Sequence, residues 1–600
     1  MCRIAGIIDP NSNDGLLLAS VTKMESSMRH GGPDDEGVYI THNGTCGLGH
    51  RRLSIIDLSS DGHQPMFNDD KSVSLVFNGE IYNFLEIRKR LQEKGYTFFS
   101  KTDSEVIIKA YEEWGEDSFK MLNGMFAFAL EDQKKKQLYL VRDTSGIKPL
   151  YYYINNSFLI FASEVKAFKT IDIPFEVNKE WEVLFLTFGR LPEPYTTLKN
   201  VLMLPQGSFL KYEFDRQRHS IKKYFEFSFT HTIKNKKQAI ELLRETLLGA
   251  VERHLISDSP LGVFLSGGID SSILALLAAQ KAPTHLRTLS IIFNEESYSE
   301  KKYQDLIAKK INSKHSYYKI TEEGFNTNLP DIFEAMDQPT LDGINTYFIS
   351  KAAKEEGLKV VLSGLGADEL LGGYPSFRRI SSVETIKKIP SFVFDIAYPF
   401  LSYDYQKLSF LTINDDLGTY LFLRGLFSAK TTAKLLNLEE EFVKEVLQKM
   451  YFKDRLNGIH GGNKASWMET NMYMKNQLLK DSDIMSMWHS LELRVPFLDR
   501  EFIKAVFSID PAIKFGGKPK ELLIEAFKDI LPEEIWNRPK QGFTFPFKEW
   551  MKKTPYVKKL ENIDNKEFLK VKAKFEKNEV HWGRLWSLAV INEWRTSKSR

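Results

Sequence analysis

Residues 261–280, LGVFLSGGIDSSILALLAAQ, decide the fold of the larger part of this chain. Leu261–Leu265 is an apolar run of strand length, and the apolar residues from Ile273 onward keep helical spacing. Between them Ser266–Gly267–Gly268–Ile269–Asp270–Ser271 forms a glycine-rich turn that exposes backbone N–H groups at a helix N-terminus, where phosphate binds. No lysine follows the glycines, so the turn is not a Walker A loop. Working outward, Thr288–Phe293 (TLSIIF) and Lys359–Leu362 (KVVL) read as further strands, each followed by helix. The second runs into Ser363–Gly364–Leu365–Gly366–Ala367–Asp368–Glu369. Such alternation predicts a parallel sheet wrapped by helices. Parallel strands place both turns at one sheet edge, where ligands of these folds bind, and bring Asp270 and Asp368 together. Two carboxylates beside phosphate oxygens suit Mg²⁺. A tight turn with a helix cap is the structural alternative for either loop alone; the pair is more specific.

Upstream, KKQAIELLRETLLGAVERHLI is a long amphipathic helix, and beyond about residue 380 the pattern is mainly helical. The first two hundred residues differ. RIAGIID, GVYITHNGTCGLGH, SVSLVFNGEIYN, GMFAFALEDQKKKQLYLVRD, LYYYINNSFLIFAS and GSFLKYEF read as short strands bounded by Gly, Asn and Asp. NFLEIRKRLQEKG and SEVIIKAYEEWGED carry helical periodicity. An α+β domain built on antiparallel sheets fits this mixture. A polar stretch around residues 213–236 separates the halves, giving domains at 1–215 and 235–600 with a boundary near residue 225. There is no internal repeat and no low-complexity segment.

Composition excludes several classes. The 600 residues are 42% hydrophobic and 27% charged, the profile of a globular protein with large cores. Lys+Arg 82 against Asp+Glu 79 gives +3, which offers no electrostatic case for nucleic acid or an anionic membrane. Two cysteines exclude a disulfide framework or a cysteine-built zinc cluster. The aromatic stretch Ser391–Ile413 is broken by Asp395, Asp404 and Lys407, short of the about 18 apolar residues of a membrane span. With no secretory leader, a cytoplasmic location is expected. Lys134–Lys135–Lys136 reads as a solvated hairpin turn, and Cys46 as a small buried hydrophobe.

Cys2 follows the initiator Met, whose removal makes this thiol the N-terminal residue. An α-amine with a reference pKa of about 7.7–8.0 then lies next to it as a general base. Downstream come Arg29–His30–Gly31–Gly32–Pro33–Asp34, Arg51–Arg52–Leu53–Ser54–Ile55, Phe77–Asn78–Gly79–Glu80–Ile81–Tyr82–Asn83, Thr102–Asp103–Ser104–Glu105 and Arg142–Asp143–Thr144–Ser145–Gly146. With these in this order, the first domain resembles the class II glutamine amidotransferases, which carry an N-terminal-nucleophile hydrolase fold. The resemblance implies Cys2 as nucleophile, with the Asn78 side chain and Gly79 N–H as oxyanion donors. It places Arg52 on the glutamine carboxylate, Asp103 on its ammonium group, and Glu80 within the same binding motif. Gly79, lacking a Cβ, is expected to let the substrate approach. Similar proteins have Cys-Gly at the start. Arg3 stands here instead and is expected either to alter access to the thiol or to stabilise its thiolate.

The Ser-Gly-Gly-Xaa-Asp-Ser turn looks like the pyrophosphate loop of enzymes that split ATP into AMP and pyrophosphate. With Leu493–Arg494–Val495–Pro496–Phe497–Leu498–Asp499 downstream, the order of parts resembles the asparagine synthetase B family over most of the chain. By that resemblance ATP is lined by Leu265, Ser266, Gly267, Gly268, Asp270, Ser271, Ser363 and Gly364. Ile291 borders adenine through its backbone, Lys520 neutralises pyrophosphate with Lys518 as the nearby competitor, and Asp270 and Asp368 hold Mg²⁺. Two departures bear on the acceptor. Leu365 stands where asparagine makers usually carry Glu, and Ile524 where many members have Arg.

The function expected is a glutamine-hydrolysing ligase: ammonia freed at Cys2 crosses, shielded from water, to an adenylated carboxylate. Aspartate is the first acceptor by architecture, and Leu365 argues against it. Glu369 or Asp342 could compensate. The alternatives are the same chemistry on a polysaccharide uronic acid or a peptide-like acid, a pyrophosphate-loop enzyme acting on RNA, and an inactive binding protein. Partners are small molecules, with no nucleic acid and no membrane; similar enzymes are often homodimers.

Overall fold

The structure is a computed structural model that describes residues 2–10, 12–41, 44–155, 158–281, 286–413, 415–450, 456–539 and 545–597. The first half folds as two stacked six-stranded sheets. One consists of Arg3–Ile8 (β1), Asp35–Ile40 (β2), Cys46–Arg52 (β3), Tyr151–Asn155 (β8), Phe158–Ala162 (β9) and Leu202–Met203 (β10), in the order β10-β8-β9-β1-β3-β2. The other holds Met66–Phe67 (β4), Val73–Ile81 (β5), Gly124–Asp132 (β6), Gln137–Arg142 (β7), Ser208–Glu213 (β11) and Arg218–Lys223 (β12), in the order β12-β11-β7-β6-β5-β4. All pairings are antiparallel.

Strand alternation explains why these segments are apolar on both sides. Ile4, Ile8, Leu48, Val76, Ala127 and Leu140 meet between the sheets. Ala5 and Ile7 face outward beneath helix Asp14–Ser26, and Leu75, Phe77 and Phe126 lie beneath helices Phe84–Gln92 and Asp103–Trp114. Lys134–Lys136 form the exposed turn between β6 and β7, and Cys46 is fully buried.

Among the described residues of the second half, Leu261–Phe264 (β13), Arg287–Phe293 (β14), Lys314–Ile320 (β15), Val360–Leu362 (β16) and Glu492–Arg494 (β17) form a five-stranded sheet. Every pairing is parallel, in the order β15-β14-β13-β16-β17. The two edge strands escape the sequence pattern. β15 is half exposed and mixes Lys, His and Tyr, while β17 is three residues long, two of them charged, within an otherwise helical region. The expected helices form at Lys236–His254 and Ile269–Lys281. No described helix is long and apolar enough to cross a membrane.

The halves interlock. β12 carries the second sheet past residue 215, while helix Trp181–Phe188 packs its apolar side chains into the core of the C-terminal half.

Candidate active sites

Cys2 stands at the head of β1, and Asn78, Gly79 and Glu80 lie near the end of β5 in the facing sheet. Arg52 ends β3, and Asp103 opens the helix that Thr102 caps by accepting from the Glu105 N–H. These segments converge on a pocket lined by Cys2, Arg52, Gln64, Gly79, Glu80, Asp103 and Ser104, among others. The Cys2 N–H donates to Asn78 Oδ1 at 3.2 Å, and Asn78 Nδ2 is buried without an acceptor among the described residues. Arg52 donates to the carbonyls of Ser59 (2.8 Å) and Asp57, which fixes the guanidinium against Gly62.

Burial pushes the Cys2 thiol up; the chain's amino terminus, the Leu53 N–H and Arg52 oppose this, while Glu80 adds to it. Burial also raises Asp103 to about 6, even though its carboxylate accepts from the Ile81 N–H at 2.8 Å. Glu80 is driven well above the usual carboxylate range by burial and by Glu492, with Arg494 opposing at 3.4 Å.

One expectation is extended here and one is corrected. A Cβ on Gly79 would meet Met125 O at 2.2 Å and Phe126 Cα at 2.6 Å, so the close approach of β6 by itself requires glycine at this pocket-lining position. Arg3, adjacent to Cys2 in an extended strand, points to the opposite side and does not line the pocket. It is fully buried and donates to Glu164 (2.6 Å) and to Asp483 (3.0 Å) in the other half of the chain. It therefore neither screens the thiol nor sits beside it as a counter-charge.

The second centre is built at the C-terminal edge of the parallel sheet. β13 and β16 are neighbours, and a Cβ on Gly364 would lie 3.0 Å from Asp270 Cβ, so their loops touch. Gly267 takes φ +85 against Tyr303, a conformation that favours glycine. Ser266 and Ser271 bond through their hydroxyls at 2.9 Å, and Ser266 Oγ accepts from the Gly268 N–H at 3.3 Å. β13 ends opposite Leu289, so Ile291 lies two residues beyond it along β14, beside Leu265, whose N–H donates to Leu289 O at 2.8 Å.

Lys520 Nζ sits between Asp270 Oδ2, at 2.6 Å, and Asp368. Lys518 is exposed. Two carboxylates already converging on one cation are a fitting donor set for Mg²⁺, which takes its remaining ligands from water and phosphate. No group of three or more His, Cys, Asp or Glu that could hold a metal occurs among the described residues.

Sequence reasoning missed several residues. Gln64 accepts from the Phe77 N–H (2.6 Å) and donates to Ser104 (3.2 Å). Arg538 donates to Gly267 O (3.0 Å) and Glu300 (2.6 Å). Arg494 was visible only as part of a motif. A polar side chain inside an apolar frame, as in Leu-Arg-Val-Pro, was the one local signal.

A thiol pocket on stacked antiparallel sheets, joined to a pyrophosphate-type loop on a parallel sheet, defines a two-centre amidotransferase. The family model described as Glutamine amidotransferase domain matches residues 1–225, and that described as Asparagine synthase matches residues 242–595. The chain belongs to the asparagine synthase family and is a glutamine-hydrolysing, ATP-using carbon–nitrogen ligase of that type, forming AMP and pyrophosphate. It is 33% identical to Asparagine synthetase [glutamine-hydrolyzing] 1 of Bacillus subtilis, over 92% of this chain and 88% of that one. It is 27% identical to Asparagine synthetase [glutamine-hydrolyzing] 3 of the same organism, over 92% and 89%. It is 28% identical to Amidase chry2 of Gibberella zeae, over 88% and 86%.

Proposed function

We propose that Cys2 releases ammonia from glutamine and that this ammonia amidates an adenylated carboxylate, with aspartate the first acceptor. The Cys2 sulfur attacks the glutamine amide carbon as its proton passes to the α-amine. Asn78 Nδ2 and the Gly79 N–H stabilise the oxyanion, the C–N bond breaks to release ammonia, and water cleaves the thioester to glutamate. Arg52 and Asp103 hold the two charged ends of the substrate.

In the second centre the acceptor carboxylate attacks the α-phosphate of ATP, displacing pyrophosphate. Ser266, Gly267, Gly268 and Ser271 hold the phosphates, Ile291 and Leu265 border the adenine, and Ser363 and Gly364 close the nucleotide site. Lys520 stabilises the leaving charge. Mg²⁺ held by Asp270 and Asp368 would neutralise phosphate charge when bound. Ammonia then attacks the acyl carbon, and AMP leaves.

Arg494 carries this reading. Its guanidinium reaches Glu80 of the thiol pocket at 3.4 Å, and its backbone carbonyl accepts from the Ser363 N–H at 2.8 Å, so one buried residue touches both centres. Aspartate draws support from acids that could replace the charge Leu365 lacks. Glu369 is raised to about 7 by burial first, then by Asp368, and burial also raises Asp342. An arriving ammonium group would draw these carboxyls into their charged forms.

The test supplies purified enzyme with glutamine, ATP and Mg²⁺, with and without aspartate, and measures pyrophosphate and asparagine. Aspartate-dependent formation of both is expected. Pyrophosphate release indifferent to aspartate, with no asparagine, would defeat the aspartate assignment.

A further inference from the structure

Arg190 is 3% exposed and makes no ion pair among the described residues. Its Nη1 donates to Phe188 O at 2.8 Å and to Gln477 Oε1 at 2.9 Å, both neutral acceptors. Nε and Nη2 are buried and have no partner among the described residues. These two nitrogens share one edge of the guanidinium and form the fork that takes a carboxylate through two parallel hydrogen bonds. One edge is thus anchored and the opposite edge is left open. A buried cation in this state is disfavoured unless an anion joins it.

The surroundings point to the acceptor. Glu469–Leu479 is a π-helix, a rare form that concentrates at functional sites. It presents Glu469, Tyr473 and Gln477 toward two arginines. Glu469 binds Arg424, Arg424 lies 4.0 Å from the Tyr473 ring centre, and Arg190 lies 5.2 Å from it on the path to Gln477. Tyr473 meets Tyr374 at 5.9 Å between ring centres, and the Tyr374 hydroxyl donates to Glu369 at 2.8 Å, next in sequence to Asp368 of the nucleotide site. Arg190 is therefore two aromatic rings away from Glu369.

No carboxylate among the described residues fills the fork. Arg424 takes Glu469, and Thr340, whose backbone bridges to that of Arg190, donates its hydroxyl to Asp481 at 2.5 Å. Burial, with Asp342 adding, lifts Asp481 to about 8; it acts on Arg190 from a distance, as Glu469 does, without an ion pair among the described residues.

We infer that the open fork of Arg190 binds a second carboxylate of the acceptor, the one that is not adenylated, so that the acceptor is a dicarboxylate. This rests on the acceptor-amidation reading above. It favours aspartate, which carries two carboxylates, and it excludes acids with a single carboxylate, such as a uronic acid.

Calorimetric titration of the full chain with aspartate, succinate and β-alanine tests the assignment, using wild type, Arg190→Met and Arg190→Lys. Wild type should bind both dicarboxylates. Arg190→Met should bind them at least roughly 30-fold more weakly, the lower range for removing one partner of a buried charge pair. Arg190→Lys, which keeps the charge and loses the fork, should fall between. β-Alanine, which lacks the second carboxylate, should bind weakly and equally to all three. Without ligand, Arg190→Met should match or exceed wild type in Tm, because it removes a buried charge that has no direct ion pair among the described residues. Equal dicarboxylate affinity in wild type and Arg190→Met, or no dicarboxylate binding by wild type, would overturn the inference. Arg190-dependent binding without pyrophosphate release would instead remove the amidation reading and leave the site.

Discussion

The backbone nitrogen of Cys2 donates to Oδ1 of Asn78 at 3.2 Å, which turns the amide nitrogen of Asn78 into a buried donor with no acceptor among the described residues. The bond also settles which way the side-chain amide is oriented, since Oδ1 must face the donor. A preorganised, unsatisfied donor beside a nucleophile is the arrangement that stabilises a developing oxyanion. Asn78→Ala should therefore lower kcat for glutamine hydrolysis about 10²–10³-fold. Ammonium-driven amidation should persist. Glutamate release and pyrophosphate release, assayed side by side, check both statements.

Because Arg3 turns away from the thiol while Arg52 acts on it, the two arginines should behave differently toward an alkylating agent. The pH profile of Cys2 modification by iodoacetamide should be unmoved in Arg3→Met. In Arg52→Met it should shift to higher pH, because the remaining burial disfavours the thiolate. Arg3→Met should instead lower Tm, since it removes a buried partner of Glu164 and Asp483. A profile that shifts equally in both variants would contradict the strand geometry.

Asp103 gives a pH dependence with a defined sign. Burial raises its folded pKa to about 6, whereas an unfolded Asp titrates near 3.9. Between these values the folded chain holds more protons, so this carboxyl lowers stability as pH rises through the window. Asp103→Asn removes that dependence, and its Tm should gain on wild type between about pH 4 and pH 7. In wild type, kcat/KM for glutamine should fall below about pH 6 as the ammonium partner becomes neutral. The ammonium-driven reaction should lack this limb.

Lys520 and Lys518 lie two residues apart but differ in their surroundings. Lys520 is buried between Asp270 and Asp368, and Lys518 is exposed. Lys520→Ala should reduce pyrophosphate formation by about 10²-fold or more, as for loss of a transition-state charge contact, while Lys518→Ala stays within about twofold of wild type. Glutaminase activity should survive in both. Similar losses in the two variants would remove the special role of Lys520.

The sequence by itself determined the two architectures and most of the chemistry, because both are written in local patterns. Alternation in RIAGIID and SVSLVFNGEIYN, and the strand–glycine turn–helix run from Leu261, each need only a few neighbouring residues to be read. Cys2, Asn78, Asp103, Asp270 and Asp368 lie on such segments. The sequence did not reveal β17, because three residues carry no period and Glu492 and Arg494 look like surface charges until their partners are known. Only the tertiary structure put Arg494 against both centres, turned Arg3 toward Asp483, and showed that the passage of β6 also requires glycine at position 79. It alone left two buried Arg190 nitrogens without a partner among the described residues. The physical reason is common to these cases. A charge acquires its role from what solvates or pairs with it, and the deciding partners, Glu80 for Arg494 and Asp483 for Arg3, lie hundreds of positions away in the chain.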